Sequence, residues 1–264
     1  MKNYIKYLIF LLFFINLNSS AQTGYSHEVG VYIGAPSFQT DYGQRNHFMS
    51  NVGGNIGNSF GIIHYLQFSD YKYEWYGRGT FFSEHFKIRT EVSFAKSDLK
   101  HYGKWVEDDP KRDLDDYLRA MHGTTSMINV GSQLEFYYRD LVDYGLRYYN
   151  WNYSPYVGLG VQANFYKPTI ISDLGDWKQD PKLIRKWGEP GAANDEAGIT
   201  ASITLNSGTR ISLGRNTDLF LETRWHYYLT NWVDGLNAKD DPANKYNDWM
   251  FLVQVGFIYS IESR

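Results

Sequence analysis

The residues of this 264-residue chain most able to do chemistry stand two apart. Lys87, Arg89 and Glu91 form one such run, and Glu222, Arg224 and His226 another. In an extended segment each trio projects from one face. Glu28, Glu135 and Arg210 lie in runs of the same kind. If that face lines a narrow lumen, these charges must pair and hydrogen-bond, because an isolated charge is costly to take out of water. The expectation is a structural salt-bridge core that plugs the lumen, with a gated polar path as the sharper alternative.

Two constellations suggest nucleophilic catalysis: His122 with Ser126, and His226 with Glu222. A hydrolase or acyltransferase needs a nucleophile, a base within hydrogen-bond reach and an acid to orient the base. No Gly-x-Ser-x-Gly elbow is present, and the expectation is a protein without enzymatic activity. Asp108, Asp109, Asp113, Asp115, Asp116, Asp234, Asp240 and Asp241 make the loops acidic enough for Ca²⁺. None of them follows the Asp-x-Asp-x-Asp-Gly spacing of a Ca²⁺ loop, so solvated acids are expected, with no metal and no cofactor. Trp177, Trp187 and Trp232, with Asp234, are the candidates for interaction. Exposed indoles would favour a partner or a glycan, and folding back as a lid is equally economical.

Positioning such groups falls to eight runs that alternate in polarity at period two: 28–34, 59–68, 86–94, 127–137, 154–166, 199–213, 218–228 and 249–260. The third is the clearest. Phe86, Ile88, Thr90, Val92 and Phe94 share one face, and Lys87, Arg89, Glu91 and Ser93 the other. A soluble barrel of the lipocalin type, or a β-sandwich, would turn the apolar face inward, whereas a membrane barrel inverts the arrangement.

Three features favour inversion. The polar faces carry Gly30, Gly61, Gly131, Gly158, Gly160, Gly208 and Gly256, and a narrow lumen rewards small residues where a solvated face does not. Trp151, Tyr153, Tyr227, Tyr228, Trp232, Trp249 and Tyr259 gather at run ends, where aromatic girdles belong. With a periplasmic amino terminus, the outer connections (35–58, 98–126, 167–198 and 229–248) are generally longer than the inner ones (69–85, 138–153 and 214–217). The fold class expected is all-β: a single-domain antiparallel up-and-down transmembrane β-barrel of about eight strands, with long outer loops and one short loop helix. That helix would begin at Asp109 as N-cap and Pro110, place Leu114, Tyr117, Leu118 and Met121 on one face, and stop at Gly123.

The compartment follows from residues 1–21. Lys2 and Lys6, the apolar run Tyr7 to Leu17 and the small residues Ser19-Ser20-Ala21 read as a secretory signal peptide, leaving residues 22–264 as the barrel domain. The absence of Cys excludes a lipid-anchored cysteine and any disulfide framework. A net charge of −3 without a basic cluster argues against nucleic acid. Aromatic residues are 18% of the chain, with 23 Tyr, as suits rings that are apolar at one end and wet at the other.

The segment His27-Glu28-Val29-Gly30-Val31-Tyr32-Ile33-Gly34, followed by Phe38 and Asp41-Tyr42-Gly43, resembles the opening of small outer-membrane barrels of Bacteroidota that include PorG-type components of type IX secretion. Thr230-Asn231-Trp232-Val233-Asp234-Gly235-Leu236, after Arg224-Trp225-His226-Tyr227-Tyr228, resembles the aromatic-acidic segment that precedes the last strand in that group. Longer outer loops, and Asp-Gly-Leu where a second acid is expected, point to a sister family. The resemblance implies a Gram-negative outer-membrane protein surrounded by lipid, with secretion-system or other envelope proteins as partners and a role in envelope interaction or assembly. A small porin and a lipid-modifying acyltransferase or deacylase stand as alternatives.

Overall fold

Along β3, Lys87, Arg89, Glu91 and Ser93 are buried while Val92 is 52% exposed, so the charged face is the interior one. The same inversion runs around the molecule. Ile33, Ile62, Val161 and Ile199 are each more than 60% exposed, and they stand on four different strands. A continuous outward band of this kind is untenable in water and is what hydrocarbon requires.

The computed structural model describes residues 25–43, 54–68, 79–103, 106, 116–146, 153–214, 216–239, 241, 244 and 246–261. Its strands are β1 (Ser26–Gln39), β2 (Asn58–Gln67), β3 (Phe86–Lys100), β4 (Met121–Tyr137), β5 (Tyr153–Ser172), β6 (Gly198–Ser212), β7 (Thr217–Tyr228) and β8 (Trp249–Ser260). Each pairs antiparallel with its sequence neighbours, and β1 also pairs with β8, with Glu28 opposite Ser260. Closure leaves no edge, so the backbone groups within the ladder are satisfied without water, as a membrane demands. The chain is therefore an eight-stranded antiparallel transmembrane β-barrel. Among the described residues, no helix is long and apolar enough to cross a membrane.

Both ends of the barrel chain lie at one end, here the near end, with the connections after β2, β4 and β6. The connections after β1, β3, β5 and β7 share the far end. The near end carries helices α1 (Phe81–His85) and α3 (Leu141–Leu146), neither of them expected. Thr80 caps α1, its Oγ accepting from the Ser83 amide at 3.3 Å. The helix stacks Phe82 on Phe86 (4.8 Å) and sets it at a tilt beside Phe68 (5.0 Å), while Phe81 is 64% exposed. With Tyr138, Tyr153 and Tyr259 also exposed, these rings form the near-end aromatic girdle.

Several strands are longer than their alternating runs. β1 continues to Gln39, β4 starts at Met121 and β5 reaches Ser172. Hydrophobic alternation stops where the outward face leaves hydrocarbon, as at Thr124, Ser126, Lys167 and Thr169, but backbone pairing does not stop there. The loop helix is corrected for the same reason. Among the described residues helix α2 covers Asp116–Ala120, and Met121 and Gly123 pair on β4 with Ser172 and Ile170. Gly123 is no helix stop: a Cβ there would strike the Thr169 carbonyl and the Tyr42 phenol. The start proposed for that helix (Asp109, Pro110, Leu114), the signal peptide at 1–21, Trp151 and the acids Asp108, Asp113, Asp115 and Asp240 lie outside the described residues.

Candidate functional site

Toward the near end the lumen is filled by charge. Arg89 reaches Glu91 at 2.6 Å, Glu222 at 2.7 Å and Glu135 at 3.3 Å. Arg224 bridges Glu91 (2.8 Å) and Glu222 (2.7 Å). Glu28 is held by Lys87 at 2.9 Å and Arg210 at 2.7 Å. Arg210 also binds Asp218 at 3.0 Å, a residue the sequence reading left out although it shares the parity of Glu222 and Arg224. Neutral donors complete the carboxylates. Tyr32 donates to Glu91, Tyr137 to Glu135 and Tyr156 to Glu222, each at 2.7 Å, and Gln254 also donates to Glu222. Charges this deeply buried persist only because each has both an opposite charge and further hydrogen bonds.

The lumen glycines make room for these donors. Tyr32 lies directly across from Gly61 and from Gly256, and Tyr156 across from Gly208. A Cβ on Gly61 would enter the Tyr32 ring, and one on Gly208 would come within 2.7 Å of the Tyr156 oxygen. Phe220 lies across Gly256 in the same way and stands 5.6 Å from the Arg89 guanidinium. A lumen Tyr or Phe opposite a lumen Gly was the sequence signal available for these residues.

Beside the charges lie polar groups that include His226, which takes no part in the ion pairs, and Gln133, directly across from Arg89. Both of its ring nitrogens, both amide atoms of Gln133 and of Gln162, and the Thr204 hydroxyl are buried without a protein hydrogen-bond partner.

The far mouth is closed by its own loops. A 3-10 segment, Pro181–Gly188, follows Asp180, whose side chain accepts from the Lys182 amide at 3.2 Å. It kinks at Arg185, where φ is 53°, and drives Ile184 and Trp187 into the mouth against Phe38, Tyr42, Leu99, Val233 and Leu236. Trp187 is only 4% exposed, stacks on His101 at 5.4 Å, and donates its indole N–H to Asp41 Oδ2 at 3.4 Å. Trp177 is partly buried and donates to the Ile170 carbonyl at 3.0 Å. Both indoles of this loop thus fold back against the mouth.

The connection after β7 is pinned beside it. Thr125 donates to the Val233 carbonyl at 2.7 Å, and Asp248 accepts from the Val233 amide at 3.0 Å. The Asn194 amide donates to the Gly235 carbonyl at 2.8 Å, and the Asn237 amide to the Ala192 carbonyl at 2.7 Å. Asp234, read from sequence as a solvated loop acid, is fully buried. It accepts from the Leu236 amide at 2.8 Å and the Asp41 amide at 2.9 Å, so one carboxylate ties two loops, and Asp41 joins the third through Trp187. Burial, and then the Asp41 carboxylate beside it, push the Asp234 pKa up to about 7. Burial likewise raises the Tyr42 phenol. Of the three candidate indoles only Trp187 is buried; Trp177 and Trp232 are both half-buried.

The catalytic pairs are not assembled. His122 faces the Ala120 carbonyl and Asp173, and Ser126 donates to the Lys167 carbonyl. Residues four apart on a strand are separated by about 13 Å, which also keeps Glu222 from orienting His226. Among the described residues no three acids, histidines or cysteines cluster as a metal site.

No family model and no curated protein matches the chain. Among solved structures it is similar to Ail, the attachment invasion locus protein of Yersinia pestis (10% identity, TM-score 0.44, covering 91% of this chain and 100% of that one). It is also similar to Neisserial surface protein A (12%, TM-score 0.45, covering 89% and 98%) and to the outer membrane protein OprG of Pseudomonas aeruginosa (10%, TM-score 0.44, covering 91% and 97%). At these values the fold assignment rests on the closed ladder and its inverted faces.

Proposed function

We propose that this protein is a non-conducting outer-membrane barrel of a Gram-negative bacterium whose working surface is the far-end loop cap, used for interaction or assembly in the envelope. The observation that carries the reading is double closure: an ion-paired lumen toward one end and an apolar plug of loop residues at the other. A solute path would require separating Arg89 and Arg224 from their carboxylates, which is strongly unfavourable in so narrow a space. The loops, by contrast, are tied to one another into a stiff surface that faces away from the chain ends. On this reading the protein has no enzymatic role and its surroundings are outer-membrane lipid. A place beside type IX secretion rests on the resemblance of residues 27–43 and 230–236 alone.

Two measurements test it. In planar bilayers the purified barrel gives no stable single-channel steps; reproducible steps would restore the porin alternative. Crosslinking in native outer membrane followed by detergent co-purification recovers an envelope protein attached through the far loops. Recovery of the barrel alone would remove the assembly role.

A further inference from the structure

The connection after β7 carries a solvent-open recess of about 350 Å³. That is at the small end of ligand cavities, which run to roughly 300–1,000 Å³. The same connection is held by Asp248 on the Val233 amide and Asp234 on the Leu236 amide. One wall is an amide cluster. Asn244 donates to Asn237 Oδ1 at 2.9 Å and to the Ala238 carbonyl at 3.2 Å, and the Asn231 amide faces the Tyr246 carbonyl at 3.2 Å.

Three further polar groups of the lining are open to a ligand. The Asn237 nitrogen, the Asn247 amide and the Trp232 indole N–H line the recess with no protein partner among the described residues. The Lys239 ammonium stands over one face of the Trp232 ring, 6.0 Å from its centroid, and Tyr246 is 68% exposed.

We infer that this recess binds a saccharide of one or two pyranose units. A carboxamide donates and accepts at once, which matches a pair of neighbouring hydroxyls. Trp232 and Tyr246 offer flat apolar faces for the C–H side of a sugar ring, with polar edges that stay hydrogen-bonded. The lining is too polar for an acyl chain, and a single lysine is too little positive charge for a nucleotide phosphate. Because the connection is already pinned at Val233 and Leu236, less ordering is needed on binding. The inference rests on the proposal that the far end faces outward, where two sources share this chemistry: the sugars of the membrane's own surface glycolipid, and glycans from outside the cell.

The test uses the full-length barrel in lipid nanodiscs and saturation-transfer NMR with the methyl glycosides of glucose, galactose, mannose, N-acetylglucosamine and glucuronic acid. The deacylated core oligosaccharide of the native glycolipid forms a separate arm. At least one probe is expected to show saturable transfer. Trp232→Ala and Asn247→Ala should each weaken it at least fivefold, while Trp177→Phe leaves it unchanged. Binding confined to the core oligosaccharide assigns the site to the membrane's own sugars, and binding of free glycosides assigns it to external ones. No transfer from any probe, or transfer unaltered by Trp232→Ala in a barrel that retains heat-modifiable migration, overturns the inference. Protease cleavage of the far loops on intact cells tests outward orientation independently, so a failed sugar arm is distinguishable from a failed topology.

Discussion

Raising the pH from about 5 to about 8 should loosen the far-end cap, and the size of the effect can be worked from Asp234. Its pKa moves from 3.8 to about 7 in the closed cap, roughly three units. At ~1.4 kcal/mol per unit the whole range is worth at most about 4 kcal/mol, and the part above pH 5 about 3 kcal/mol. The sign follows from proton counting. Between 3.8 and about 7 the closed cap holds a proton that the opened one has released, so stability is fully present below 3.8, falls through that window and levels off above about 7. The groups facing Asp234 are Asp41, Thr40 and Tyr42 from the end of β1 and the Leu236 amide of its own loop, with Trp187 and His101 behind Asp41.

Hydrogen exchange of the Asp41 and Leu236 amides, corrected for the intrinsic pH dependence of exchange, reads the opening free energy directly. Asp41→Asn removes the neighbouring charge while keeping an oxygen for the Trp187 indole. It should flatten the slope in part, because burial is the larger cause, and strengthen closure at pH 8 by about 1–2 kcal/mol. Protection that is flat or rises with pH in the unaltered protein would refute the reasoning, as would a steeper slope in Asp41→Asn.

Arg89→Met leaves Glu135 without its closest cation and should cost about 3–5 kcal/mol in urea unfolding from lipid vesicles; a loss under about 1 kcal/mol would mean the pairs contribute little. Gly256→Val places a side chain in the Phe220 ring and against the Val31 carbonyl, with an expected loss of about 1–3 kcal/mol, read in the same titration. Val161→Arg, on the exposed apolar wall, should cost about 2–4 kcal/mol in a bilayer, whereas a barrel standing in water would tolerate it. Gln133→Met with Gln162→Met should stabilise the barrel by about 1–3 kcal/mol per amide, since both side chains are buried without protein partners; destabilisation would show that these amides are hydrated.

The barrel wall was legible because two constraints coincide along it. A lipid-facing position must be apolar and its neighbour must fit a narrow lumen, so Val29, Val31 and Ile33 alternate with Glu28, Gly30 and Tyr32. Where one constraint lapses, legibility lapses too. Beyond the membrane only the backbone ladder continues, and the β4–β5 extension that absorbs Met121 and Gly123 leaves no mark in polarity. The lumen charges could be named but their partners could not, since Arg89 meets Glu222 across 133 residues. The cap was least legible. Trp187 reads as a surface indole among charges until the kink at Arg185 turns it inward, and the burial of Asp234 depends on an amide contributed by the end of β1.

That cap is more than closure requires. The ladder already satisfies the backbone, and the ion pairs already fill the lumen toward the near end. Ordering the connection between β5 and β6 costs roughly 1–2 kcal/mol per residue in backbone entropy, and Arg185 adds a strained φ of 53° worth about 1–3 kcal/mol. Burial of Ile184, Trp187, Val233 and Leu236 works against this cost. Loops that merely joined strands could remain short or mobile without exposing an edge. What the packing adds is a surface whose shape is set before any partner arrives, which lowers the ordering cost of binding. On the proposed function, weakening the cap while sparing the ladder should therefore impair recognition and leave the barrel's stability nearly unchanged, whereas breaking the Arg89 contacts should lower that stability.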